Sequence, residues 1–175
     1  MGPWVSRTAE GPARVAGAEA RYLQGELIYR EFEAQKLDPK PNKLGASLDR
    51  KAKLLGSAKD VYLDVLAYST AEWTTAALFR IGQSYELFAK GLREYPVPAG
   101  LSQAQQDEYS EQLDTFALAF EEEAIGAYKS GYARAMELGI YNTYTRKIRA
   151  SLGRLSAQEF PPIAEVGSEL RVAEG

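Results

Sequence analysis

Five stretches of this chain place apolar residues at steps of three and four, and none alternates them at every second position. Steps of three and four gather side chains on one face of an α-helix, whereas a half-buried strand requires strict alternation. The fold is therefore expected to be all-α. The first stripe, Val15, Ala18, Tyr22, Gly25, Tyr29 and Phe32, follows Pro12, a residue suited to a first helical turn, and the helix is expected to end near Leu37. "DPKPNKLGAS" then breaks the pattern, and Ser47 is the expected N-cap of a second helix carrying Leu48, Ala52, Leu55, Ala58, Tyr62 and Val65. Ser69 and Thr70 are expected to end that helix and cap a third, with Trp73, Ala77, Ile81, Tyr85, Phe88 and Leu92. After "YPVPAGLS", Ser102 is positioned to cap a long fourth helix whose stripe is Tyr109, Leu113, Phe116, Phe120, Ala124, Ala127, Tyr128, Ala135 and Leu138, with Gly126 and Gly131 as places where it could break. Gly139 suits a C-cap, and Asn142 or Thr143 begins a fifth helix with Tyr144, Ile148, Leu152 and Leu155.

Residues 12–156 form the expected helical domain. Residues 1–11 are either an N-terminal extension or a remnant of expression, and residues 157–175 a partly extended tail whose Phe160, Ile163, Val166 and Leu170 could dock on the helices. With 45% hydrophobic and 26% charged residues, the chain has enough apolar surface for a core. Its 21 basic and 24 acidic residues leave no positive excess to attract nucleic acid or an anionic lipid surface, so neither is an expected partner. No apolar run is long enough to span a bilayer, so direct membrane insertion is not expected. Histidine and cysteine are both absent, which removes the commonest base, the thiol nucleophile and the usual zinc ligands. No phosphate loop or calcium loop occurs, and no metal, cofactor or catalytic residue is expected.

Glycine inside a helix costs about 1 kcal/mol relative to alanine, so Gly82 within "AALFRIGQSY" calls for a reason. A missing side chain lets a second helix approach closely. Ile81 and Gly82 with Tyr85 three residues on resemble the first helix of a tetratricopeptide repeat, and "ARYLQGELIY" places Gly25 similarly, with Gln24 departing from the usual leucine. Ala58, Tyr62 and Val65, and again Ala124 and Tyr128, resemble the second helix. The resemblance implies antiparallel helical hairpins stacked as a tetratricopeptide-like solenoid. From Gly82 to Ala124 is 42 residues, where an ordinary repeat places about 12. Both helices of that hairpin are accordingly expected to be elongated.

A closer resemblance covers most of residues 15–170. "AEWTTAALFRIGQSYELFAKGL", "YPVPAGLS", "AYKSGYARAMELGIYNTYTRKIRASLGRL" and "SAQEFPP" together are similar to the C-terminal region of the large tetratricopeptide proteins of the deltaproteobacterial adventurous gliding-motility machinery. What that implies is a periplasmic or outer-membrane-associated domain that helps assemble a cell-envelope complex.

Treating Gly25 and Gly82 as equivalent turns Tyr22, Glu26, Tyr29, Phe79, Arg80, Gln83 and Glu86 toward the inner surface of the stack, the expected face for a protein or peptide partner. Two other readings stay open. "FEEEAIG" supplies Glu121, Glu122 and Glu123, which a carbohydrate-active enzyme could use as a carboxylate pair, although such runs usually face water. The domain could also be a structural spacer whose inner surface is filled by its own tail. Nothing in the sequence sets an oligomeric state.

Overall fold

The computed structural model describes residues 11–161. Five helices, α1 (Pro12–Ala34), α2 (Pro41–Val65), α3 (Ala71–Arg93), α4 (Gln103–Glu137) and α5 (Thr143–Leu155), pack against one another, with a short 3₁₀ turn at Leu66–Tyr68 after α2. No strand occurs among the described residues, so the all-helical expectation holds. Each helix touches only near neighbours: α1 meets α2 and α3, α3 meets α2, α4 and α5, and α4 meets α5. Among the described residues no helix is long and apolar enough to cross a membrane.

The expected stripes of α1, α3 and α5 largely form the core. Ala18, Tyr22, Tyr29 and Phe32 are buried on α1, Ile81, Tyr85 and Phe88 on α3, and Ile148 and Leu152 on α5. Rings link the helices in series: Phe32 stacks on Phe88 at 6.4 Å, and Phe88 on Phe120 of α4 at 4.1 Å. α4 runs unbroken through Gly126 and Gly131 for 35 residues, about 52 Å. Ser102 caps it as expected, accepting from the Gln105 amide while the Gln105 side chain accepts from the Ser102 amide. Asn142 likewise caps α5 through the Thr145 amide at 2.9 Å. Gly139 lies just past the end of α4 with φ of 63°, the left-handed turn that closes a helix.

Several expectations need correction. α3 has 23 residues, no more than α1, so the added length of the second hairpin lies in α4. α1 stops at Ala34, short of Leu37. α2 begins at Pro41 ahead of Ser47, because Asp38 accepts the Lys40 amide at 2.9 Å and leads the chain into a proline at the first helical position. The Ser47 hydroxyl serves the same connection: it accepts from the Asp38 amide and donates to the Leu44 carbonyl. Thr70 occupies the cap position of α3, but its hydroxyl makes no capping bond. Phe116 is 62% exposed although its spacing suggested core. Residues 157–160 turn back on Ser156 and do not extend. The remainder of the tail, residues 162–175, and residues 1–10 of the extension lie outside the described residues.

Leu55, Ala58, Tyr62 and Val65 of α2 are buried as expected, but the start of that helix departs from expectation. Ala52 is exposed and Leu48 half-buried, while Ser47 and Lys51 are buried. Lys51 Nζ donates to the Phe32 and Gln35 carbonyls at 2.8 and 2.7 Å and lies 4.3 Å from the Phe32 ring centre. It thereby satisfies the open C-terminus of α1. Burial, with Lys36 adding to it, pulls its pKa from 10.5 down to about 8.

Because the folded chain releases this proton before the unfolded chain does, stability attributable to Lys51 rises between about pH 8 and 10. The neutral amine keeps donors for both carbonyls. Tyr22, Tyr62 and Tyr128, raised chiefly by burial, act oppositely: the unfolded chain ionises first, so their contribution is intact below pH 10 and lost above it. Urea denaturation should give a stability that climbs by about 1–3 kcal/mol from pH 8 toward 10 and then falls. Lys51→Met should remove the climb and leave the fall.

Candidate partner-binding face

Gly82 is where the second hairpin closes. A Cβ built there would lie 2.4 Å from Tyr128 Cε1 of α4, and one at Gly25 would lie 2.6 Å from Tyr62 Cε1 of α2. Both rings are essentially without solvent exposure. In each hairpin a glycine in the first helix thus makes room for a tyrosine ring from the second.

The hydroxyls of those tyrosines continue the arrangement. Tyr62 donates to Glu26 Oε1 at 2.6 Å, and Tyr128 donates to Glu86 Oε2 at 3.0 Å. Each carboxylate then takes an arginine from a neighbouring helix. Arg80 of α3 grips Glu26 of α1 with Nε and Nη2, both at 2.8 Å, and Arg154 of α5 pairs with Glu86 of α3 at 2.7 Å. The two-pronged guanidinium–carboxylate geometry fixes the stagger between α1 and α3. Burial, reinforced by the Glu26 hydrogen bond, raises the Tyr62 pKa, so this hydroxyl remains a donor at neutral pH. Burial raises that of Tyr128, with the Glu86 charge next in weight.

The seven residues expected on the partner face divide into two groups. Tyr22 and Tyr29 are 5% and 4% exposed and belong to the packed layer, Tyr22 against Tyr62 and Trp73, Tyr29 beneath the Arg80 guanidinium at 4.5 Å. Glu26 spends its carboxylate on Arg80 and Tyr62. Phe79, Arg80, Gln83 and Glu86 are instead brought together along a groove of about 540 Å³ between α3 and α5. Gln83 is half-buried and accepts from Arg80 Nη1 at 2.6 Å.

Sequence reasoning missed the opposite wall, built by Tyr144, Lys147, Ser151 and Arg154 of α5. Lys147 Nζ stands 5.5 Å from the Phe79 ring centre and 5.3 Å from that of Tyr144, a cation held on aromatic faces at the mouth of the groove. The pattern Tyr144, Lys147, Ser151, Arg154 at steps of three and four was the available signal, since it marks a second, polar face of α5 beside the Ile148–Leu152 stripe. The glutamates of the alternative reading are separated in role: Glu121 pairs with Arg93, whereas Glu122 and Glu123 are exposed.

Set against family models, curated proteins and solved structures, the chain matches none of them. The class that can be stated is an all-helical protein of neighbour-packed helices.

Proposed function

We propose that the chain is a noncatalytic protein–protein interaction scaffold of tetratricopeptide-like hairpins, with the α3–α5 groove as its partner face. The observation that carries this reading is the twofold recurrence of one arrangement: glycine, covering tyrosine, carboxylate acceptor and arginine from a neighbouring helix. A recurrent unit that packs only on its neighbours builds an extended surface, and such surfaces recognise other proteins. Gln83, Lys147 and Arg154 supply polar and cationic groups above the rings of Phe79 and Tyr144, a combination suited to a peptide with acidic side chains. The sequence resemblance supports a role in assembling a gliding-motility complex in the periplasm or at the outer membrane.

Crosslinking in envelope extracts tests this. Partner recovery should fall at least about tenfold for Lys147→Glu and severalfold for Gln83→Ala, with helix content unchanged, as befits removal of a central contact. Unchanged recovery with both variants removes the groove as the partner face. That result would favour the spacer reading, for which the internal pairing of Glu26 with Arg80 and the burial of Tyr22 and Tyr29 already speak.

A further inference from the structure

The contacts of α3 mark the side of that helix that packs on the first hairpin. Trp73 meets Tyr22 at 5.1 Å, Arg80 grips Glu26 and Phe88 stacks on Phe32 at 6.4 Å, with Ala77 and Ser84 buried along the same side. Gly25 and Gly82 hold equivalent places 57 residues apart, so each of these residues has a counterpart on α1. The counterparts are Ala16, Ala20, Leu23, Leu27 and Glu31. On α1 the side that α3 buries is bare: among the described residues Leu23 and Leu27 are 53% and 62% exposed, and Ala16, Ala20 and Glu31 are exposed as well. Two leucines one turn apart, on the side of the helix away from Tyr22, Gly25 and Tyr29, form an apolar seam that gains nothing from facing water.

We propose that α1 pairs through this seam with α1 of a second copy of the chain, antiparallel, in a symmetric dimer. Charge selects both the occupant and its direction. Glu19 and Arg30 are eleven residues apart, about three helical turns, and so stand on one flank of the seam. Both are exposed, and neither forms an ion pair among the described residues. A parallel copy would set Glu19 against Glu19 and Arg30 against Arg30. An antiparallel copy, related by a twofold axis beside residues 24 and 25, sets Leu23 against Leu27 of the second copy and each Glu19 level with an Arg30. The seam is then its own complement, as an isologous contact requires.

The small side chains of Ala16 and Ala20 let the two axes approach closely. One helix per copy makes a contact at the low end of the size range for specific complexes, so the dimer is weak and reversible. No residue of α1 lines the α3–α5 groove. Both copies therefore keep that groove open, and the pairing stands whatever the groove binds.

Sedimentation of the 175-residue chain over a concentration series should show a reversible monomer–dimer equilibrium. Leu23→Glu with Leu27→Glu should raise the dissociation constant at least about tenfold, with helix content unchanged. Leu118→Glu, at a leucine 51% exposed on α4, should leave it within about twofold. Glu19→Arg and Arg30→Glu, both at exposed positions that do not threaten the fold, should each weaken self-association about threefold or more. An equimolar mixture of those two variants should dimerise as tightly as the parent chain, because every flank pair across the mixed dimer is opposite in charge. A single monomeric species up to about 1 mM, a double-leucine variant that dimerises like the parent, or a mixture no tighter than its components overturns the proposal.

Discussion

Glu26→Ala should lower stability by about 2–4 kcal/mol, far more than its position on a half-open helix face suggests. One carboxylate accepts two bonds from Arg80 and one from the Tyr62 hydroxyl. The Glu26 and Arg80 side chains are 15% and 25% exposed, so water replaces little of what is lost. Truncation leaves a half-buried guanidinium and a buried hydroxyl without their acceptor, and the cost comes from those orphaned groups. Glu26→Gln should cost roughly half as much, since an amide oxygen still accepts from Tyr62 while the charge is gone. The double change Glu26→Leu with Arg80→Met should recover much of the loss, because a buried pair replaced by apolar groups of similar volume is often close to neutral. Urea denaturation checks all three. Glu137→Ala provides the reference: its pair with Arg134 is exposed, and its removal should change stability by less than about 0.5 kcal/mol. A Glu26→Ala effect as small as that would mean the pair does not hold α1 to α3.

Alanine at two glycines of adjacent helices should act with opposite signs. At Gly126, exposed on α4 with nothing within 4 Å of an added Cβ, Gly→Ala should stabilise by about 0.5–1 kcal/mol through helix propensity alone. At Gly82 the same gain is outweighed. Three atoms of the Tyr128 ring lie between 2.4 and 2.7 Å from the new carbon, closer than any real contact. The ring is 1% exposed and tied by its hydroxyl to Glu86, so it cannot swing aside cheaply. Overpacking costs about 1–3 kcal/mol; with the ring pinned the upper part of that range, about 2–3 kcal/mol, applies, and a net loss of about 1–2 kcal/mol is expected after a propensity gain of about 1 kcal/mol. Gly82→Ala combined with Tyr128→Leu should be less destabilised than the two single effects added together, the signature of a direct steric conflict. A neutral or stabilising Gly82→Ala would show that the two helices are not held at this spacing.

Gly82 was legible in sequence because a helix that tolerates glycine in its interior must gain something in return. The continuity of α4 was legible too, since its stripe persists on both sides of Gly126 and Gly131. Lys51 was not, because lysine ordinarily marks the wet face of a helix, and its burial depends on where the open carbonyls of α1 come to lie. The start of α2 was misread for a local reason: Ser47 has cap chemistry, but a proline six residues earlier had already set the helical φ. The candidate face was legible only in part. Glycine correspondence aligned α1 with α3 and so anticipated that Phe79, Arg80, Gln83 and Glu86 share one groove, yet it could not reveal that Tyr22, Glu26 and Tyr29 are consumed in joining those two helices. The α5 wall escaped because its stagger against α3 is set by Glu86 and Arg154, residues 68 positions apart with no local signature.

Among the described residues α1 meets α2 and α3 but neither α4 nor α5, so no direct contact braces the first helix against the last two. Bending is then a sum of small rotations at successive joints, and the Glu26–Arg80 clasp sets the angle at one of them. Tension applied along such an assembly would be taken up by gradual flexing before any helix melts, as in a leaf spring.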